Sequence, residues 1–394
     1  MNISEIKTIA ILHYEFPGGG AETVTINLAK RLEPMGIKVY VFVYNLVEEK
    51  LPKDVSNLEI IRILHPSNME NIHNFIANIR EKEISYFIFP DVINDVIKYS
   101  DDIRKNTNCK IVFMLHSIPF WGYYEIMADT KKRTKGSFLK QLEWYFLRSH
   151  KYTLGIKKKK FVRQYKECYD KVDAFGVLCE SYGREIAAKI GESYEASKFV
   201  VLNNDIAPKE EYVKDKKREV YFIGRLNYSA KRVDRLLRVW SRIESKHPEW
   251  NLNILGIGEE EGNLKQLASR LNLKRVNFLG FSPNPQPYYD RAAIVCMTSS
   301  FEGWPMVLLE AQMNGCVGMA FDVCTGINEI LAPSMENGVL IKPFNKKEYA
   351  KTLSMLMEET NLRNRIAENG RKAVRRFSPE NTIKQWVALF EKLS

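Results

Sequence analysis

Two glutamates with seven residues between them, Glu302 and Glu310, frame the stretch of this sequence best suited to chemistry: Phe301-Glu302-Gly303-Trp304-Pro305-Met306-Val307-Leu308-Leu309-Glu310-Ala311. An apolar run at 293–297 reads as a strand ending just before it, and a helix is expected to begin near Met306. In an open α/β sheet the ligand sits beyond the carboxyl ends of the strands, which is where this turn falls. Free N–H groups at a helix start, helped by the helix dipole, favour a phosphate or a hydroxyl-rich ligand. Gly303 lets the backbone come close. Glu302 can accept from sugar hydroxyls, and Glu310, one turn into the helix, can hold a ribose diol. On spacing alone the two carboxylates read more simply as a near-cap charge and a solvated helix residue.

Two cations form a second constellation. Phe222-Ile223-Gly224-Arg225-Leu226 is followed by Lys231-Arg232-Val233-Asp234. Arg225 comes directly after a strand, and Lys231 stands at a helix entry, where a lysine opposes the macrodipole. Together they can hold a diphosphate and neutralise its charge as it leaves. An ordinary basic helix start is the plainer alternative. A third element, Gly18-Gly19-Gly20-Ala21-Glu22, makes a tight turn with exposed amides. It lacks the G-x-G-x-x-G dinucleotide fingerprint, and a turn without a ligand explains it equally well. There is no D-x-D sequence; Asp101-Asp102 is a bare pair beside Lys105 in what reads as a surface helix. No histidines have ligand spacing. No metal and no cofactor are therefore expected, and a leaving diphosphate would fall to Arg225 and Lys231.

These residues need a scaffold that presents strand ends. The run at 8–14, the glycine turn, a helical pattern through Ile26, Leu28, Ala29 and Leu32, and a second run at 38–44 make a βαβ unit. Further runs at 86–89, 110–115 and 174–178 extend it into a parallel, doubly wound sheet. The pattern restarts around 200–204, and after a charged stretch at 209–218 strands are predicted at 219–223, 250–255, 276–279, 293–297 and 318–321. Helical segments at 233–244 and 264–271 lie between them. Ser378-Pro379 then starts a last helix whose apolar residues Trp386, Leu389, Phe390 and Leu393 must dock somewhere. The reading is α/β with two Rossmann-like domains, 1–204 and 205–376, and a C-terminal helix at 377–394.

With 394 residues, 45% hydrophobic and 27% charged, the chain is long enough for two cores and has a globular composition. Residues 1–8 carry Glu5 and Lys7, which is not a signal-peptide pattern, and nowhere do eighteen apolar residues run uninterrupted. A cytoplasmic location is expected. Six scattered cysteines without a C-x-x-C pair suggest neither disulfides nor zinc. The net charge of +11 is uneven: Lys131, Lys132, Arg133, Lys135 and Lys140 are followed by Lys157 to Lys160 and Arg163.

In this order and spacing the elements resemble glycosyltransferase family 4, retaining enzymes with the GT-B fold. The likeness runs over nearly the whole chain and is strongest from Tyr221 to Leu331. Glu302 and Glu310 match the family's E-x7-E motif, and Gly224-Arg225-Leu226 with Lys231 looks like its diphosphate-binding pair, with one residue more between them than is commonest. Gly18 to Ala21 is similar to the N-terminal glycine loop, including Gly19 and Gly20. His116 matches a histidine facing the reacting sugar, Asn204 the asparagine of the interdomain segment, and Asn337-Gly338 a late N-G turn.

The resemblance implies two domains facing across a cleft, with the C-terminal helix crossing back to the N-terminal one. Glu302 would contact the donor sugar, Glu310 the ribose, Arg225 and Lys231 the diphosphate, and the amides of Gly303, Trp304, Met306 and Val307 the sugar hydroxyls and phosphate. It implies transfer of a hexosyl group with retention, without a required metal, from a nucleotide sugar, UDP favoured, to a saccharide or lipid-linked acceptor in cell-surface polysaccharide synthesis. No nucleophile can be named.

Between 136 and 150, Phe138, Leu142 and Tyr145, joined by Leu139 and Phe146, can share a helical face flanked by the basic clusters. That pattern fits peripheral attachment to an anionic membrane surface, or a core helix with a basic rim. Two other readings are open: a sugar-nucleotide-binding protein without turnover, and a nucleotide-sugar epimerase. A phosphorylase would need a longer chain with a pyridoxal-phosphate lysine, and no nucleic-acid-binding module is recognisable.

Overall fold

The computed structural model describes residues 8–18, 20–51, 55–65, 70–132, 137–144, 146, 158–195 and 197–394. The chain divides into two units. The first comprises Met1–Phe120, Lys157–Asp205 and Pro379–Ser394, the second Trp121–Ile156 and Ile206–Ser378.

The first unit is built on seven strands: β1 (Thr8–Phe16), β2 (Lys38–Leu46), β3 (Leu58–Arg62), β4 (Tyr86–Pro90), β5 (Lys110–Met114), β6 (Ala174–Val177) and β7 (Phe199–Val201). They pair in parallel in the order β3-β2-β1-β4-β5-β6-β7. The central strands are near-continuous apolar runs because helices cover both faces. Ile9 to Leu12, Val39, Val41 to Val43, Phe87 to Phe89 and Ile111 to Leu115 are buried, and Phe42, Phe75 and Phe87 interlock their rings. The helix Pro379–Leu393 buries Trp386, Leu389 and Phe390 in this unit. The Phe390 ring lies 4.7 Å from that of Tyr86, whose hydroxyl donates to the Phe390 carbonyl at 3.1 Å. Gln385 and Asn203 exchange two hydrogen bonds of 2.7 and 2.9 Å. Three large apolar side chains at roughly 2 kcal/mol each give the helix ample reason to dock.

The second unit has six strands: β8 (Glu219–Ile223), β9 (Asn251–Leu255), β10 (Val276–Gly280), β11 (Ile294–Met297), β12 (Val317–Phe321) and β13 (Val339–Ile341). Their order is β10-β9-β8-β11-β12-β13, again all parallel. Trp240, Trp250, Phe222, Ile254, Ile294 and Tyr349 form its core. Each sheet reverses its winding once, between β1 and β4 in the first and between β8 and β11 in the second. Such reversals leave a crevice at the carboxyl ends of the two strands.

Three expectations need correction. The restart expected around 200–204 falls later, because the run at 199–201 is the last strand of the first sheet, paired through Phe175↔Phe199, as the 1–204 bound has it. β3 and β13 were not anticipated: one is a short edge strand ending in exposed Arg62, the other has three residues. The segment Trp121–Ile156 groups with the second unit, so that 1–204 is not one continuous domain, and the last division falls after Ser378 instead of after 376. All six cysteines are free thiols, five of them buried. Among the described residues no helix is long and apolar enough to cross a membrane.

Candidate functional site

At the winding reversal of the second sheet, the loops after β8 and β9 lie backbone against backbone. Gly224 has φ 144° and Gly256 φ 140°, and a Cβ on Gly256 would stand 2.0 Å from the Gly224 carbonyl oxygen. A Cβ on Gly258 would stand 2.3 Å from the Leu226 oxygen. Bonds from Gly224 N to Leu255 O and from Leu226 N to Ile257 O, both 2.9 Å, fix this approach. Only glycine fits there. The sequence reading missed Gly256 and Gly258, although Gly-x-Gly directly after an apolar strand was the available signal.

The turn that follows is closed by Asn227, whose Oδ1 accepts from the amides of Ala230 at 3.2 Å and Lys231 at 2.9 Å. Arg232, at φ 50°, then caps the helix Val233–Trp240. The loop after β11 is laced to this turn. Ser300 N donates to Ala230 O at 2.7 Å, Thr298 Oγ1 to Arg232 O at 3.0 Å, and the Arg235 guanidinium to the carbonyls of Thr298 and Ser299 at 3.0 and 3.2 Å. The lacing brings Lys231 onto Glu302. Its Nζ lies 2.9 Å from each carboxylate oxygen, and Ser299 Oγ donates to Oε1 at 2.5 Å. The Glu302 side chain is 10% exposed and that of Lys231 22%, so this is a nearly desolvated, charge-assisted pair. An ammonium has three N–H donors and two serve Glu302, leaving one for a further acceptor.

Gly303 leads into the helix Met306–Met313, whose N-cap Pro305 offers no side-chain acceptor. The amides of Met306 and Val307 have no intrahelical acceptor and suit an anionic or hydroxylated ligand, while that of Leu308 donates to the Pro305 carbonyl at 2.9 Å. Trp304 is buried against Phe377, ring centroids 5.0 Å apart and perpendicular, with its indole N–H unpartnered among the described residues. Glu310 accepts from the buried Tyr289 hydroxyl at 2.5 Å. Burial raises its carboxyl above the usual range, and the tyrosine bond opposes that shift.

Arg225 is exposed and its guanidinium has no ion-pair partner among the described residues. It borders a cavity of about 440 Å³ shared with Glu125, Asp129, Lys132, Asn227, Ser229 and Glu259. Lys132 is taken up by Glu259 at 2.7 Å. Arg225 thus stands apart from the Lys231–Glu302 pair in its bonding, though the Lys231 chain passes beside Gly224.

The remaining expected residues lie in the first unit. Gly20 is exposed at the start of the helix Gly20–Leu32, and Gly19 lies outside the described residues. His116 follows β5. Its Nδ1 is buried without a hydrogen-bond partner among the described residues, as is Oδ1 of Asn204. Burial, with neighbouring His13, pushes its imidazole down to about 4, so it is neutral at ordinary pH. Asp91, which the sequence reading missed, follows β4 at φ 57°. It accepts from His116 N at 2.9 Å and Ser117 Oγ at 3.1 Å and so holds the loop carrying His116. Burial raises its carboxyl to about 6. His13 was also missed; its Nε2 meets Thr25 Oγ1 at 2.8 Å. Of the segment expected to touch a membrane, residues 133–136, 145 and 147–157 lie outside the described residues. Leu139, Leu142 and Phe146 are 78%, 38% and 66% exposed, while Trp144 is buried.

Comparison with known proteins supplies the family. An uncharacterized glycosyltransferase of Haemophilus influenzae is 34% identical over 184 residues, 46% of this chain and 52% of that protein, so the chain spans about half the length of that relative. The poly(glycerol-phosphate) alpha-glucosyltransferase of Bacillus subtilis is 25% identical over 243 residues, 60% of this chain and 36% of its own. The structure of Anabaena HepE in complex with UDP overlays with a TM-score of 0.73 at 16% identity, over 98% of this chain and 100% of that one, a likeness of fold. The family of glycosyl transferases group 1 matches residues 155–373, which take in every functional residue of the second sheet described above. With more than half of its length matched, the chain belongs to the glycosyl transferases group 1 family.

Proposed function

We propose that this chain transfers a hexosyl group from a UDP-sugar to a saccharide or lipid-linked saccharide in the synthesis of a cell-surface polysaccharide, with retention and without a required metal. The observation that carries the reading is the bidentate Lys231–Glu302 pair, held by laced loops beside an uncapped helix start. Glu310 receives the ribose diol, and the first-turn amides receive phosphate and sugar hydroxyls. As the bond from the anomeric carbon to the diphosphate breaks, charge collects on the leaving oxygen, where Lys231 and Arg225 meet it. The acceptor hydroxyl forms the new bond on the face the diphosphate leaves, and its proton passes to the departing phosphate oxygen. That the Bacillus relative is named a glucosyltransferase and the Anabaena neighbour was solved with UDP supports the choice of donor.

Thermal melting of the whole chain with UDP-, GDP- and ADP-hexoses tests the donor, because a ligand that binds only the folded state raises Tm. UDP-hexoses are expected to stabilise and the other classes not. A melt unmoved by all three would end the reading, and proton NMR of the product decides retention. The exposed Leu139, Leu142 and Phe146 beside Lys140 favour attachment to an anionic leaflet. Flotation with phosphatidylglycerol vesicles tests it, and protein left in the soluble fraction at low salt would remove it.

A further inference from the structure

At the carboxyl edge of the first sheet, three adjacent strands deliver three rings in a row. Tyr14 comes from β1, Tyr44 from β2, and His65 lies three residues beyond β3. The Tyr14 and Tyr44 centroids are 5.0 Å apart with the rings inclined at 53°, and Tyr44 and His65 are 6.3 Å apart at 58°. The spacing follows from the separation of neighbouring strands, about 4.8 Å.

Both phenol groups are tied inward. Tyr14 donates to the buried Asp95 carboxylate at 2.9 Å, and Tyr44 meets the hydroxyl of fully buried Tyr99 at 3.3 Å. Lys98 reaches back to the same Tyr99 hydroxyl at 3.0 Å. Asp95, Lys98 and Tyr99 share the helix Ile93–Asn106, so one helix anchors both rings. Tyr14 nevertheless remains 47% exposed. A tyrosine placed in solvent for solubility would turn its hydroxyl to water. This one ties its hydroxyl to the Asp95 carboxylate while nearly half of the residue stays open to solvent, so the ring is held in place by a hydrogen bond to a carboxylate.

We propose that Tyr14, Tyr44 and His65 form a stacking platform for pyranose rings and so make the acceptor a ring-bearing saccharide. This deepens the proposed function and rests on it for the word acceptor. An aromatic face carries partial negative charge, and the axial C–H bonds of a pyranose present the complementary positive edge, while the sugar hydroxyls stay in water. The ring spacing is comparable to that of consecutive sugars in a chain. An acyclic polyol offers no such face. Fixed aromatic rings bind at low entropic cost because little side-chain freedom is left to lose.

Saturation-transfer NMR on the whole chain, without nucleotide, tests the proposal with maltotriose, cellotriose and glycerol as probes. The wild type should transfer saturation to ring C–H protons of a trisaccharide and not to glycerol. Tyr14→Ala should weaken that transfer about fivefold, the size of one aromatic contact. Tyr14→Phe, which keeps the ring and loses only the Asp95 bond, should retain it, and this separates stacking from a folding defect. The proposal is overturned if the wild type gives no transfer to either trisaccharide, if glycerol responds equally, or if Tyr14→Ala binds as the wild type does. Failure of the donor reading shows elsewhere, in a melt unmoved by UDP-sugars while the trisaccharide signal persists.

Discussion

The two sheets use the same topological device and fill it with opposite electrostatics. After β8 and β11 the second unit sets formal charges against each other: Lys231 on Glu302, nearly out of water, with Arg225 exposed nearby. After β4 and β5 the first unit removes charge. Burial pushes His116 down to about 4 and Asp91 up to about 6, and between those values both are largely neutral. A pair of opposite charges can be reoriented by an incoming diphosphate, because each partner already has most of its desolvation offset. Neutral polar groups and aromatic rings suit an uncharged sugar. The contrast teaches that one and the same winding reversal can carry loops of opposite electrostatic character.

The sharpest way to break this contrast is to remove the second unit's cation. Lys231→Ala should lower the transfer rate about 10² to 10³-fold, the usual loss for one group that stabilises developing charge. Because it also strands the buried Glu302, melting of Lys231→Ala/Glu302→Gln is the companion measurement. If the double variant melts normally and still transfers at the wild-type rate, Lys231 has no part in the chemistry.

The first unit's neutrality can be read as stability against pH. Asp91 has its carboxyl raised from 3.8 to about 6, so its contribution is present below 3.8 and lost as pH rises through 6. His116 has its ring lowered from 6.5 to about 4, so its contribution is present above 6.5 and lost as pH falls through 4. Between pH 4 and 6 the two slopes oppose. His116→Asn, which spares the main-chain bond to Asp91, should uncover a fall of about 3 kcal/mol from pH 4 to 6. Asp91→Asn should uncover a rise of about the same size. Urea titrations across that range check both, and parallel curves for wild type and variants would refute the neutral pair.

Glu310→Ala should weaken UDP about 10- to 100-fold, as expected for a lost hydrogen bond to a charged group, measured by calorimetry. Unchanged affinity would move the ribose elsewhere. The smallest effect is expected at Arg225, whose side chain is exposed. Arg225→Lys keeps the charge and loses the planar fork, and should cost about fivefold in transfer. A loss as large as that of Lys231→Ala would mean that the exposed cation, and not the buried pair, carries the leaving group.

Much of this was legible along the chain. Apolar runs such as 38–44 and 293–297 read as covered strands, whereas Glu302 and Glu310 by spacing alone read as a near-cap charge and a solvated helix residue, and it was the resemblance that gave the pair a role. Asp91 was not legible: an aspartate after a strand is common, and only the fold sets it under His116 N. Nor was β3, a five-residue edge strand, Leu58–Arg62, interrupted by Glu59 and closed by Arg62. Gly256 and Gly258 stand out as required glycines only in the fold, where the Gly224 and Leu226 carbonyls lie against them.

By itself the sequence determined element type, the two-sheet plan, and the Glu302–Glu310 and Arg225–Lys231 signatures, because these depend on periodicity and on residues close together along the chain. Tertiary structure alone decided that Lys231 closes on Glu302 across 71 positions, that Tyr14 is anchored by Asp95 across 81, and which carboxyls and imidazoles lose their charge. Contact between distant residues and exclusion of water are properties of the packed chain, and no local pattern encodes them.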